Sequence, residues 1–102
     1  MEQWANNGDA KAQFKLAACY QEGIADISKD MQKALEWYIK AAEQGLAEAQ
    51  KNLRLLYQNG QGVEKNLPEA IKWVKKAADQ GDFSAAMLLN SLNIQMKQEE
   101  KI

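Results

Sequence analysis

Apolar residues recur at steps of three and four through most of the chain. Leu46, Ala49, Leu53, Leu56 and Tyr57 fall on one face of a helix. Ala34, Trp37, Tyr38, Ala41 and Ala42 do the same a little earlier. The punctuation agrees with the periodicity. Gly45 and Gly81 follow helical runs and suit a left-handed cap, where a Cβ is strained. Asp30 and Asn66 stand where N-caps belong, and Pro68 sits in a first turn, where its missing N–H costs nothing. Asp9, Asp82, Asp30 and Glu69 all lie near helix N-termini, matching the helix dipole. These signals predict helices at about 9–22, 30–43, 46–58, 67–79 and 82–98. Glu2 to Asn6 reads as the end of a lost or abbreviated helix, and the polar stretch "KQEEKI" (97–102) as a frayed tail.

The pattern also repeats. "EWYIKAAEQG" (36–45) returns as "KWVKKAADQG" (72–81). With Gly8, Gly45 and Gly81 aligned, Ala12, Ala49 and Ala85 coincide, as do Leu16, Leu53 and Leu89. Tyr20 pairs with Tyr57, Ala34 with Ala70, and Trp37 with Trp73. The period is 37 residues, then 36, the extra residue lying in the loop of the first unit. One domain over 1–102 is expected, with repeat one at 8–44, repeat two at 45–80, a capping helix at 81–98 and a polar tail at 99–102. A single helical hairpin buries too little apolar surface to stand alone, whereas stacked hairpins share a continuous core. The alanine pairs permit close backbone approach, and the tryptophans fill wider gaps. The last helix carries Asn93 and Met96 where the others have Tyr and Gly, as a terminal helix tolerates.

Composition narrows the function classes. Of 102 residues, 46% are apolar and 26% charged, with a net charge of −1, so no basic field attracts nucleic acid. There is no histidine, and Cys19 is the sole cysteine; a structural zinc site and a Cys–His pair both lack their ligands. No apolar run reaches the roughly 20 residues of a membrane span. "MEQWANNGDA" lacks the form of a signal peptide, so a cytoplasmic location is expected, or a periplasmic one if a leader was removed. No cofactor, metal, nucleic acid or membrane partner is called for. Carboxylates are scattered at helix ends and outer faces, with no phosphate loop and no acid–base pair, so no enzymatic activity is expected.

The units "AEAQKNLRLLYQNGQGV…EAIKWVKKAADQG" and "AKAQFKLAACYQEG…KALEWYIKAAEQG" resemble the Sel1-like repeat family, a relative of the tetratricopeptide repeats, over about residues 8–90. The Gly-Gln-Gly-Val loop at 60–63 and the Lys-Ala-Ala helix ends carry the resemblance. It departs at Ala25 in the first loop, and at Ala17, Arg54 and Asn90 where the family has a small glycine. Arg54 is expected to push the helix pair apart or to run outward to water. The resemblance implies an all-α, right-handed α/α solenoid of about five antiparallel helices. It also implies a non-catalytic protein-interaction module or adaptor, with the first helix of each unit lining the concave side.

Carried over from the tetratricopeptide pattern, the concave positions are Lys11, Phe14, Ala18 and Gln21; then Glu48, Lys51, Leu55 and Gln58; then Ser84, Met87, Ser91 and Ile94. Phe14, Leu55, Met87 and Ile94 form an apolar stripe, with Lys11, Glu48 and Lys51 as orienting charges. Three readings of the stripe stand: a groove for a protein or peptide partner, a homo-oligomer contact, and plain core. Within the binding class, a small bacterial immunity or chaperone-like protein that blocks a cognate toxin is the alternative to an adaptor. Trp37, Trp73, Tyr20, Tyr57 and Cys19 are expected in the core. Lys72, Lys75 and Lys76 are expected on a solvated face, and Glu36 with Lys40 as a surface pair.

Overall fold

The computed structural model describes residues 8–24 and 26–100. Among them are five helices: α1 (Ala10–Glu22), α2 (Met31–Glu43), α3 (Ala47–Asn59), α4 (Leu67–Asp79) and α5 (Phe83–Glu100). Every predicted boundary lies within two residues of these limits. Caps explain the agreement. Asp9, Asp30 and Asn66 accept from the backbone N–H three residues on, each at 3.1 Å, and Asp82 does so at 3.0 Å. Gly45 and Gly81 have φ of +93° and +94°, the left-handed turn that ends each second helix. The fragment Glu2–Asn6 lies outside the described residues.

Successive helices pack against one another in order, and the stack measures 45 × 27 × 16 Å. Its radius of gyration, 14.1 Å, exceeds the roughly 13 Å of a compact chain this long, as a layered rod should. The first core joins Ala17, Ala34, Tyr38, Ala41, Ala42, Ala49, Leu53, Leu56 and Trp73, so it spans α1 to α4. The second joins Leu67, Ala70, Val74, Ala77, Ala85 and Leu92 across α4 and α5. Alanines at the helix crossings are fully buried, which is why backbones approach closely there. α5 closes the open side of α4.

Both hairpin loops return to their own first helix. Asp30 N–H donates to the Tyr20 carbonyl at 2.8 Å, and Asn66 N–H to the Tyr57 carbonyl at 2.9 Å. The second loop also reaches across layers. Gln32 Nε2 donates to the Gly62 carbonyl at 3.0 Å, and a Cβ on Gly62 would stand 2.7 Å from Met31 Cβ. That position therefore requires glycine on both steric and φ grounds (φ +74°).

Several expectations need correction. The stretch from Lys97 does not fray at once; α5 continues to Glu100, held by a 3.3 Å Lys65–Glu99 ion pair and a 3.1 Å Gln95–Glu99 hydrogen bond. Trp73 is buried beneath the preceding hairpin, but Trp37, in the first hairpin, is half-buried, as are Tyr20, Tyr57 and Cys19. Lys40 lies over the Trp37 ring at 4.5 Å instead of reaching for Glu36. Lys72 and Lys76 lie over Trp73 at 5.0 and 5.5 Å, on an exposed face as expected.

Candidate protein-docking face

Helices α1, α3 and α5 form one row, and α2 and α4 back it. The second and ninth residues of each row helix are two turns apart and point the same way. They are Lys11 and Ala18, Glu48 and Leu55, Ser84 and Ser91. All but the half-buried Ala18 are exposed, and Leu55 is the large apolar side chain among them.

The fifth and twelfth residues behave differently, because they point along the row. Lys51 Nζ pairs with Asp82 at 3.0 Å and donates to Ser84 Oγ at 3.2 Å, bolting α3 to the start of α5. Gln58 Nε2 donates to Gln95 Oε1 at 3.0 Å at the other end of the same joint. In the first layer the Phe14 ring packs on Tyr38 at a centroid distance of 5.7 Å, and Tyr38 O–H donates to Gln21 Oε1 at 2.6 Å. Lys51 and Gln58 thus hold the second layer to α5, whereas Phe14 and Gln21 bind α1 to α2 within the first layer. Their α5 counterparts, Met87 and Ile94, have no further helix beside them among the described residues and are each 59% exposed. The expected stripe divides in two: a face at the second and ninth positions, and an end at the fifth and twelfth.

Electrostatics mark the α3–α5 joint. Hydrogen bonds from Ser84 Oγ and Ala85 N–H, and then Lys51, hold the Asp82 carboxyl down at about 2. Arg54 neither splits the helices nor runs free into water. Its Nη1 donates to Gln58 Oε1 at 2.9 Å, while its Nε is enclosed without a partner. Desolvation lowers its pKa. Burial raises the Tyr38 phenol.

Sequence reasoning overlooked one set of residues. Gln13 and Gln50, at equivalent repeat positions, are buried at 5% and 2% exposure. Gln44 Nε2 donates to Gln13 Oε1 at 2.8 Å, and Gln80 Nε2 to Gln50 Oε1 at 3.0 Å. Gln50 Nε2 donates onward to the Ala42 carbonyl at 3.0 Å. The available signal was the recurrence of Gln at both positions in both units.

No group of acidic, cysteine or histidine side chains among the described residues has the geometry to hold a metal. No described helix is long and apolar enough to cross a membrane. The arrangement offers shape and hydrogen-bonding surface, and it defines a solenoid of α/α hairpins.

That solenoid has a family. The Sel1 repeat pattern matches residues 10–46 and again 47–82, and the chain belongs to the Sel1 repeat family. Repeats of this kind generally mediate protein–protein interaction. The chain is 35% identical over 62 residues to ERAD-associated E3 ubiquitin-protein ligase component HRD3A of Arabidopsis thaliana, covering 61% of this chain and 9% of that protein. It is 36% identical over 53 residues to DAP3-binding cell death enhancer 1 of Rattus norvegicus, covering 52% and 10%. The match thus spans no more than a tenth of either relative. Among solved structures, a Sel1 repeat protein from Oxalobacter formigenes superposes with a TM-score of 0.79 at 34% identity, over 86% of this chain and 65% of that one. The protective antigen c5321 of uropathogenic Escherichia coli strains superposes with a TM-score of 0.82 at 42% identity, over 92% and 20%.

Proposed function

We propose that this chain is a non-catalytic docking module that binds a partner protein on the row face of α1, α3 and α5. A peptide segment or a protein surface lies across the three helices. Leu55 supplies the central apolar contact, flanked along the row by the small Ala18 and Ser91, with Lys11 and Glu48 as orienting charges. The observation that carries this reading is the exposure of Leu55, 39%, at a position where the neighbouring helices present only small side chains. A large apolar knob with a low rim on either side gives a partner room to pack around it. The family's general role in protein interaction and the names of the relatives, a ligase component and a DAP3-binding protein, support the class.

The experiment is quantitative affinity capture with three baits: wild type, Leu55→Glu and Lys76→Glu. Lys76 lies on the opposite, outer surface. The reading expects a set of proteins lost with Leu55→Glu and kept with Lys76→Glu, while circular dichroism shows all three baits equally helical. Equal capture by Leu55→Glu and wild type refutes it.

A further inference from the structure

The end of the row carries a second surface. α1 to α4 each hold at least three charged residues, yet the first fourteen residues of α5, "FSAAMLLNSLNIQM", hold none. One side of α5 is spent on α4, through Ala85 and Leu92. The other side is also apolar: Phe83 is 78% exposed, and Met87 and Ile94 are 59% exposed. Three large apolar side chains left in water on one uncharged side mark an interface. Repeat equivalence says which side is bare. Lys51 and Gln58 of α3 grip α5, and Met87 and Ile94 stand in their places on α5. The bare side continues an interface that the protein already uses once.

We propose that a second copy of this chain covers it, α5 against α5, about a two-fold axis near Asn90. Head-to-tail stacking is disfavoured by charge. The α3–α5 joint uses Asp82, Ser84 and Gln95, whose counterparts on α1 are Asp9, Lys11 and Glu22. Seating Met87 and Ile94 on those three groups would strip water from charges and give nothing back. In a two-fold contact the residue on the axis meets its own copy and every other pair is made twice, and an uncharged face does this without opposing like charges. Antiparallel pairing about Asn90 places Ile94 over the exposed Ala86 of the second copy, a large side chain over a small one. It places Lys97 over the Phe83 ring, the cation-over-ring contact this protein already makes at Trp37 and Trp73. Asn90, both donor and acceptor, bonds to its own counterpart. The row face with Leu55 stays open in such a dimer.

Sedimentation equilibrium of the 102-residue chain tests this between about 10 μM and 1 mM, a range set by how little surface one helix offers. The expected mass rises from 11.5 kDa to twice that and stops. Met87→Glu with Ile94→Glu should weaken the dimer about 100-fold or more, by burying unpaired carboxylates. Leu55→Glu should leave it unchanged, so failure here is distinct from failure of the docking face. In a Cys19→Ser background, Asn90→Cys should oxidise to a covalent dimer, and Ser28→Cys, in an exposed loop, should not. A monomer at the highest concentration, growth beyond two copies, an unaffected Met87→Glu/Ile94→Glu double variant, or equal cross-linking at positions 28 and 90 overturns the proposal.

Discussion

Replacing the exposed Gln80 should cost more stability than replacing the buried Gln50. Gln80→Ala removes the donor that satisfies Gln50 Oε1, and Gln50 is 2% exposed, so water does not take over. A buried acceptor left alone costs about 1–3 kcal/mol. Gln50→Leu removes two hydrogen bonds but strands nothing. The Ala42 carbonyl keeps the Gly45 N–H at 2.9 Å, and the Gln80 amide turns to solvent. Leucine is similar in volume, so this change should cost about 1 kcal/mol or less. In the double variant the orphaned acceptor is gone, and the two costs should fall short of their sum by about 1–2 kcal/mol. Urea titrations of the four proteins measure this, supported by thermal midpoints, where 1 kcal/mol is about 4–8 °C at this chain length. A Gln80→Ala protein within about 0.5 kcal/mol of wild type, the usual range for a surface site, would refute the reasoning, as would strict additivity.

Other consequences are as direct. The Asp82 carboxyl is held at about 2, below its ordinary value near 3.9, so its contribution is complete above that ordinary value and vanishes as pH falls through 2. Asp82→Asn should therefore be less stable than wild type at pH 7 and indistinguishable from it in acid unfolding below pH 2. Gly62→Ala should cost more than Gly45→Ala, by more than about 1 kcal/mol, because both have positive φ but only Gly62 meets a neighbour. Met31→Ala should not rescue it, since the clash is with Met31 Cβ; melting curves decide both points. Arg54→Met should leave stability unchanged or raise it by about 1 kcal/mol in urea, as it removes an enclosed, unpartnered Nε. Leu56→Ala, at a site 1% exposed in the first core, should cost about 2–5 kcal/mol on the same measure.

The helices were readable because each has a local cause. Asp30, Asn66 and Asp82 announce starts, Gly45 and Gly81 announce stops, and the repeat shows each pattern twice. The division of the expected stripe was not readable. Whether Lys51 reaches outward or sideways depends on how far α5 stands from α3, a distance that no property of α3 determines. Trp37 and Trp73 share a repeat position yet differ in burial, because only Trp73 has a described hairpin stacked ahead of it. The glutamines sat in plain view as repeated identities. Hydropathy treats Gln as a surface residue, and only the pairing of Gln80 with Gln50 shows why it is enclosed. Arg54 ran along its helix to Gln58 because a hydrogen-bond acceptor waited one turn away, closer than open solvent.

Greasy contacts alone would let one hairpin glide over the next, since alanine meets alanine equally well a notch further along. The 3.0 Å bond from Gln50 Nε2 to the Ala42 carbonyl, which runs from α3 to α2, forbids that. Moving by a single helical turn, about 5.4 Å, would pull it beyond bonding distance. It acts as a dowel between planks, setting how the second storey of the staircase sits on the first, while the amide pairs at 44–13 and 80–50 brace the two rods inside each storey.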